Sequence, residues 1–195
     1  MTPAGHRRLI LTRHAKSAWD EPATEDHARR LNPRGRRAAL ELGEWLHSRG
    51  YEPDEVLCSS ARRTSETWQT LAAAPLEVTP RISYLDALYQ ASPEVMLKHL
   101  TKAAGDCVMM IGHNPGIAEL AARLCAKPPV HPSFRRYPTA ATLVVDFQID
   151  DWAELRPGTG SRRITPQIAS TNCTVRMPPT TRMIGYSAKT TTYCT

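Results

Sequence analysis

The sequence predicts an α/β protein in which a mostly parallel sheet is covered by helices on both faces. Two kinds of segment along the chain lead to this prediction. Short apolar runs alternate with segments whose apolar residues recur at helical spacing, and this alternation is typical of parallel sheets with helical crossovers. The chain has 195 residues, of which 41% are hydrophobic. That length is enough for one well-packed domain and short for two.

The first strand and the first helix carry the clearest signals. The strand is the apolar run "RLILT", and the helix follows Asn32 and Pro33. Asparagine caps helices and proline suits their first turn. Apolar residues then recur at helical spacing up to Leu46, and Gly50 is a stop signal.

The later elements continue the same alternation. They are, in chain order, a strand in "EVLCSS", a helix in "ARRTSETWQTLAAA", a strand in "LEVTPRISYL", a helix opened by "SPE", a strand in "CVMMIGHNPG", a helix in "IAELAARLCA" and a last strand in "TAATLVVDFQI". In such sheets ligands bind beyond the carboxyl ends of the strands. We therefore look for the functional site at that edge.

The C-terminal end differs from the rest of the chain. After Pro166 the sequence is threonine-rich with isolated hydrophobic residues and no sustained period. We predict a folded domain over residues 1–166 and a flexible tail over 167–195, with a folded element as the alternative. From Trp152 onward there are six Lys and Arg residues against one acid. The net charge of +6 therefore belongs mostly to this end and says little about the site.

Composition excludes several classes of function. The five cysteines are odd in number and contain no C-x-x-C pair, so neither a disulfide framework nor a zinc cluster is predicted. No carboxylate cluster suits Mg²⁺, and we expect no metal and no other cofactor. No apolar run approaches the roughly 18 residues of a membrane span, and none suits a secretory signal. We expect a cytoplasmic protein without a membrane partner.

Two predicted strands end in histidine, at His14 and His113. Parallel strands place their ends along one edge, so the two histidines are expected to share a site. Arg13 directly precedes His14, and Arg63 lies at the turn from a strand into a helix. Guanidinium groups match phosphate oxygens. The loop "GHNPG" adds backbone donors, with Asn114 at the start of a helix, where anions are favoured. These groups together indicate phosphoryl binding and transfer.

The motifs "TRHAKS" and "GHNPG", with "SSARRTSET" between them, resemble the histidine phosphatase superfamily. More narrowly, "RHAKSAWD", "LNPRG" and "DALYQASPE" resemble the small SixA-like phosphohistidine phosphatases. The resemblance extends from about Arg7 to Pro166. It implies the phosphoglycerate mutase-like fold, a three-layer α/β/α sandwich with a mostly parallel central sheet.

The resemblance also implies a role for each residue. His14 matches the nucleophile, whose other ring nitrogen must donate to a fixed acceptor such as a main-chain carbonyl. Arg13 and Arg63 match the clamp on the phosphoryl oxygens, and His113 matches a second histidine that donates to the phosphoryl group. Asp86 is the best-placed general acid, and Ser59 and Asn114 are further candidates for phosphate contacts.

Three of these assignments have alternatives. The family spacing fits Ser59, Arg63 and Thr67, which makes Arg62 a residue of the helix surface rather than the second arginine of the clamp. Ser59 is either a phosphate contact or only a helix cap. Asp86 is either the general acid or a solvated residue before a helix.

The resemblance implies a metal-independent phosphatase with a phosphohistidine intermediate on His14. Only 50 positions separate Arg63 from His113, which leaves no length for a lid. An uncovered site suits phosphohistidine on a partner protein, such as a histidine phosphotransfer domain. The alternatives are a broad small-molecule phosphomonoesterase and a non-catalytic module that binds phosphoproteins. The five arginines of "ARRLNPRGRR" lack interleaved aromatic residues, so we expect a solvated face rather than a nucleic-acid patch.

Overall fold

The computed structural model describes residues 5–74, 77, 79–125, 130–156 and 173–176. Six strands and four α-helices lie within these ranges. They are β1 (Arg7–Arg13), α1 (Pro33–Ser48), β2 (Glu55–Ser59), α2 (Arg62–Leu71), β3 (Arg81–Leu85), α3 (Pro93–Leu100), β4 (Cys107–Gly112), α4 (Gly116–Leu124), β5 (Thr142–Phe147) and β6 (Cys173–Arg176). Short 3₁₀ helices span Asp26–Ala28, Asp86–Leu88 and Trp152–Glu154. The seven predicted strands and helices after the first pair each correspond to one of these elements.

The strands form one sheet in the order β3-β2-β4-β1-β5-β6. Strands β1 to β4 are mutually parallel, whereas β5 and β6 run antiparallel to their neighbours. The sheet is therefore mostly parallel, as predicted. The carboxyl ends of the four parallel strands meet at one edge, and this common edge brings together residues that are far apart in sequence.

Helices cover both faces of the sheet and bury two separate cores. Side chains alternate between the faces along a strand, so Ile10 packs with Leu42 of α1 and Trp68 of α2, while Leu9 packs on the other face with Met96 of α3. Burying a large aliphatic side chain of this kind contributes about 1.5–3 kcal/mol. The observed layers are those of the predicted α/β/α sandwich.

Two helix starts match the sequence signals. The Asn32 side chain accepts a hydrogen bond from the Gly35 N–H at 2.8 Å, and the Ser92 side chain accepts one from Val95. Gly35 has a further role, because a Cβ atom at this position would lie 2.2 Å from the Lys16 carbonyl oxygen. Only glycine allows the first turn of α1 to pack this closely on the segment that follows β1.

The predicted tail lies mostly outside the described residues. Cys173–Arg176 are described, and they form β6, which pairs antiparallel with β5. The boundary at residue 166 and the flexibility of residues 167–195 stay predictions.

Candidate active site

The structure brings six of the predicted residues together at the carboxyl edge of the sheet. Arg13 of β1 lies opposite Gly112 of β4 in the parallel ladder, so the next residues, His14 and His113, become neighbours with ring centroids 5.1 Å apart. A cleft of about 260 Å³ opens over them. It is lined by Arg13, His14, Lys16, Ser17, Trp19, Asp26, Arg63, Gln90, His113, Asn114 and Thr139. Ser59 contacts His113 from the end of β2.

His14 is held in one orientation by the backbone. Its Nδ1 lies 2.7 Å from the Ala15 carbonyl oxygen, which can only accept, so Nδ1 carries the proton. The Ala15 N–H in turn donates to Thr67 Oγ1 at 3.0 Å. The Ala15 carbonyl is a main-chain acceptor of the kind that the family resemblance implies for His14. With the proton on Nδ1, the lone pair on Nε2 is free.

Both histidines are buried and uncharged at neutral pH. Burial lowers the pKa of His14 to about 3, and the nearby Arg63 and Arg13 guanidinium groups act in the same direction against the Ala15 hydrogen bond. Burial also lowers the pKa of His113 to about 3, followed by the effects of His14 and Arg63. A neutral imidazole is the form that can act as a nucleophile.

This lowering predicts that acid destabilises the protein through the two histidines. An unfolded histidine has a pKa near 6.5, so the unfolded chain binds more protons than the folded one between about pH 6.5 and 3, and the free energy of unfolding falls as pH falls through that window. Urea unfolding at pH 7 and pH 5 should show a smaller loss in His14→Ala than in the wild type, by up to about 2 kcal/mol. An equal loss in both proteins would contradict the prediction.

Arg63 is the buried arginine of the site, and Asp26 orients it. The Arg63 side chain lies in the first turn of α2 and is almost fully buried. Its Nη2 donates to Asp26 Oδ2 at 2.9 Å and to His113 Nδ1 at 3.2 Å, and Nη1 donates to the Asp26 carbonyl. The Tyr89 hydroxyl donates to the same carboxylate oxygen at 2.7 Å. The guanidinium is therefore fixed beside both histidines.

Asp26 lines the cleft but is not among the site residues that the sequence predicts. Its Oδ1 lies 3.8 Å from Arg29, and its Oδ2 accepts from Arg63. Partial desolvation acts to raise its pKa, but the Tyr89 hydrogen bond and the Arg63 guanidinium outweigh that effect and lower it. A carboxylate with a lowered pKa holds a cation and is poorly suited to donate a proton at neutral pH. One signal in the sequence could have pointed to Asp26: it lies in the loop after β1, which starts at the edge of the sheet that holds the site.

His113 joins Arg63 to Ser59. Because a guanidinium can only donate, the contact from Arg63 makes His113 Nδ1 the acceptor and places the proton on Nε2. Nε2 lies 2.8 Å from Ser59 Oγ, and Ser59 Oγ also accepts from the Ala61 N–H at 3.4 Å. The Nε2–H of His113 therefore donates to Ser59, and a phosphoryl oxygen must take the place of Ser59 Oγ to accept this hydrogen bond.

Arg13 and Asn114 are tied to the segment before β5. Arg13 Nη1 donates to the Tyr137 carbonyl at 2.9 Å, and the amide nitrogen of Asn114 donates to the carbonyls of Arg136 and Tyr137 at 2.9 and 3.2 Å. Arg13 is also among the residues that line the cleft. The donors of Asn114 are already engaged, so its predicted phosphate contact lacks a free side-chain donor.

Asp86 and Arg62 lie outside the cleft. Asp86 is exposed at the start of a 3₁₀ helix and is not among the residues that line the cleft, so its predicted role as the general acid gains no support from its position. Arg62 is exposed and pairs with Glu66 at 2.9 Å. The prediction that Arg62 belongs to the helix surface is confirmed.

The arginine cluster before α1 makes local contacts. Arg30 pairs with Asp20 and Glu21 at 3.1 and 3.2 Å, and the Arg29 guanidinium lies 4.2 Å from the centre of the Trp19 ring.

In the described part of the chain, no three His, Cys, Asp or Glu side chains are grouped to hold a metal ion. Within the same residues, no helix combines the length and apolar character that crossing a membrane requires.

Comparison with known proteins identifies relatives of this chain. The sequence profile of the histidine phosphatase superfamily (branch 1) matches residues 9–87. An uncharacterized protein of Mycobacterium tuberculosis strain H37Rv is 33% identical over 154 residues, which cover 75% of this chain and 92% of the relative. An uncharacterized chloroplastic protein of Arabidopsis thaliana is 33% identical over 128 residues, and the match spans only 59% of its length.

Solved structures with the same fold include proteins assigned as SixA. The protein assigned as phosphohistidine phosphatase SixA from Nakamurella multipartitia is 28% identical, with a TM-score of 0.67 over 78% of this chain and 91% of that one. The counterpart from Agrobacterium tumefaciens is 29% identical, with a TM-score of 0.62 over 72% of this chain and 91% of that one. The protein histidine phosphatase SixA complexed with tungstate is 24% identical, with a TM-score of 0.60 over 71% and 86% of the two chains, and it supports the fold alone.

Proposed function

Because the chain belongs to the histidine phosphatase superfamily and is a SixA-like phosphatase, we propose that it removes the phosphoryl group from phosphohistidine on a partner protein. The observation that carries the proposal is the neutral, backbone-oriented His14 ring beside Arg63, which Asp26 holds in place. A nucleophile and a cationic clamp at one strand edge are the parts that phosphoryl transfer needs.

The first step transfers the phosphoryl group to the enzyme. His14 Nε2 attacks phosphorus, a new P–N bond forms, and the P–N bond of the substrate breaks with its electron pair going to the leaving imidazole nitrogen. Arg13 and Arg63 hold the phosphoryl oxygens, where charge develops in the in-line displacement, and His113 donates to them by exchanging its Ser59 contact for a phosphoryl oxygen.

The second step returns the enzyme to its starting state. A water oxygen attacks the phosphorus of phosphorylated His14, and the P–N bond breaks with its electron pair returning to Nε2. Inorganic phosphate leaves together with the proton that the water releases. Throughout both steps the Ala15 carbonyl accepts a hydrogen bond from Nδ1–H and holds the ring. Nε2 is therefore the nucleophile in the first step and the leaving group in the second.

The absence of an evident acid in the cleft favours phosphohistidine as the substrate. Asp26 is the one carboxylate among the described residues that line the cleft, and its lowered pKa keeps it ionised. Imidazole has a pKa near 6.5, so a ring already protonated on its distal nitrogen departs as a neutral molecule. An alkoxide is far more basic and needs a proton from the enzyme.

The cleft has room for one phosphorylated side chain. Its volume of about 260 Å³ is near the lower end of the roughly 300–1,000 Å³ of typical small-molecule sites. A protein carrying a surface phosphohistidine can present that side chain from outside.

Phosphate release from two substrates tests the proposal. A phosphohistidine protein and a small aryl phosphate should be compared at equal concentration in the presence of a chelator. We expect release that favours the protein and survives the chelator. Rapid cleavage of the aryl phosphate with the phosphohistidine protein left intact would refute the proposal and favour a small-molecule phosphomonoesterase.

Asp86→Asn separates the two activities further. If the enzyme acts on phosphohistidine, the exposed position of Asp86 and the easily expelled imidazole predict a change in kcat/KM of less than about threefold. A phosphomonoesterase that relies on Asp86 would lose about 10²- to 10⁴-fold on alkyl phosphates. Steady-state kinetics on both substrate classes would show which outcome holds.

A further inference from the structure

Trp19 is a large aromatic side chain left exposed at the rim of the cleft. It is 65% exposed, and it is the one aromatic side chain, apart from the two histidines, among the described residues that line the cleft. An indole covers about 150–250 Å² when it is buried. Its exposure beside the active site therefore offers apolar surface that an incoming molecule can cover.

The indole ring is held in place and linked to the phosphate clamp. The guanidinium of Arg29 lies 4.2 Å from the ring centre, a cation–π distance. Arg29 Nε lies 3.8 Å from Asp26 Oδ1, and Asp26 Oδ2 receives the hydrogen bond from Arg63. One face of Trp19 is thus occupied from inside the protein, and the position of the ring is connected to that of the arginine beside His14.

One exposed cation at the rim makes no ion pair among the described residues. The acidic neighbours of Trp19, Asp20 and Glu21, share the single guanidinium of Arg30, so these three side chains carry a net charge of −1. Lys16 is exposed at the same rim and forms no ion pair in the described part of the chain. Its ammonium group is therefore available to a carboxylate on an approaching molecule.

We propose that Trp19 and Lys16 form a docking surface for the protein that carries the phosphohistidine. An apolar side chain of that protein contacts the indole face that Arg29 leaves free, and a carboxylate lies near Lys16. This inference rests on the proposed function. Tryptophan is enriched among the residues that dominate protein interfaces, and contacts made beside the phosphorylated residue add affinity that a small phosphoryl donor cannot gain.

The test compares selectivity between a phosphohistidine protein and phosphoramidate, a small phosphoryl donor with the same P–N bond. For Trp19→Ala we expect the ratio of kcat/KM on the protein to kcat/KM on phosphoramidate to fall at least about tenfold, through a higher KM for the protein. Trp19→Phe keeps an aromatic face and should retain most of the ratio. Ile82→Ala is the matched control, because Ile82 is an exposed hydrophobic residue on the edge strand β3.

The outcomes separate the two proposals. A wild type that releases no phosphate from the phosphohistidine protein would overturn the proposed function itself. A wild type that is active on the protein, with a Trp19→Ala variant of unchanged selectivity, would overturn only the docking surface. Sedimentation of both proteins adds a check: a change in oligomeric state in Trp19→Ala, with selectivity unchanged, would assign the indole to a contact between copies of this chain.

Discussion

His14→Ala is expected to reduce phosphate release from a phosphohistidine protein by roughly 10⁴-fold or more. The substitution removes Nε2 of a ring whose other nitrogen, Nδ1, is held by the Ala15 carbonyl. His113 cannot take over, because its Nδ1 receives the Arg63 hydrogen bond and its Nε2 faces Ser59. Initial rates measured with and without the substitution give the loss directly.

The matched control for His14→Ala is His47→Ala. His47 lies at the end of α1 and pairs with Glu52 at 2.9 Å, so its removal should leave the rate within about twofold. Wild-type protein mixed with labelled substrate and quenched in alkali should carry the label on His14. Label on another residue, or a His14→Ala protein that turns over at a near wild-type rate, would refute the nucleophile assignment.

Arg63→Ala is expected to lower kcat/KM by about 10²- to 10³-fold. Arg63 is a buried cation that donates to His113, and its loss also leaves the Asp26 carboxylate without the closer of its two ion-pair partners beside an anionic substrate. The loss therefore combines a missing hydrogen-bond donor with new repulsion. Steady-state kinetics on the phosphohistidine protein measures it.

The neighbouring Arg62 supplies the control for Arg63. It has the same side chain, stands one position earlier in α2, and forms an exposed pair with Glu66, so Arg62→Ala should change kcat/KM by less than about twofold. Arg63→Lys keeps the positive charge but lacks the planar guanidinium that donates two parallel hydrogen bonds, so it should recover only part of the activity. Urea unfolding of each variant tests whether the protein remains folded. Equal losses in the folded Arg62 and Arg63 variants would contradict the assignment of the clamp.

Several features of the fold could be predicted from sequence because their causes are local. Asn32 with Pro33, and Ser92 with Pro93, are start signals that act within one turn of helix, and both begin helices in the structure. The ends of β1 and β4 were predictable because the apolar run of each strand ends at a polar residue. The alternation of strands and helices predicted a parallel sheet. In such a sheet the two strand ends lie at one edge, which predicted that His14 and His113 are neighbours.

The spacing of motifs also distinguished Arg63 from Arg62. One residue of shift on a helix rotates a side chain by about 100°, so only one of two adjacent arginines can point toward the cleft. Arg63 is buried there and Arg62 lies on the surface. The choice of Arg63 over Arg62 rested on the spacing of Ser59, Arg63 and Thr67 that the family resemblance implies, and the burial of Arg63 agrees with that choice.

The carboxylates show where sequence reasoning ends. Asp86 and Asp26 each begin a 3₁₀ turn, and nothing local to either turn tells which one enters the cleft. The positions of Asp26, Trp19 and Arg29 depend on how the loop after β1 folds back over the first turn of α2. That path is set by contacts between residues more than thirty positions apart, such as Asp26 with Arg63.

The sequence by itself therefore determined the order of the elements, the edge that holds the site, and the two histidines and two arginines at that edge. These depend on periodicity, caps and strand ends, which are encoded within a few neighbouring residues. The tertiary structure decided that Asp26 rather than Asp86 enters the cleft, that the Asn114 amide is engaged by the backbone, and that Trp19 stands exposed at the rim. Loop side chains are placed by packing against distant elements, and those long-range contacts leave no periodic signal in the chain.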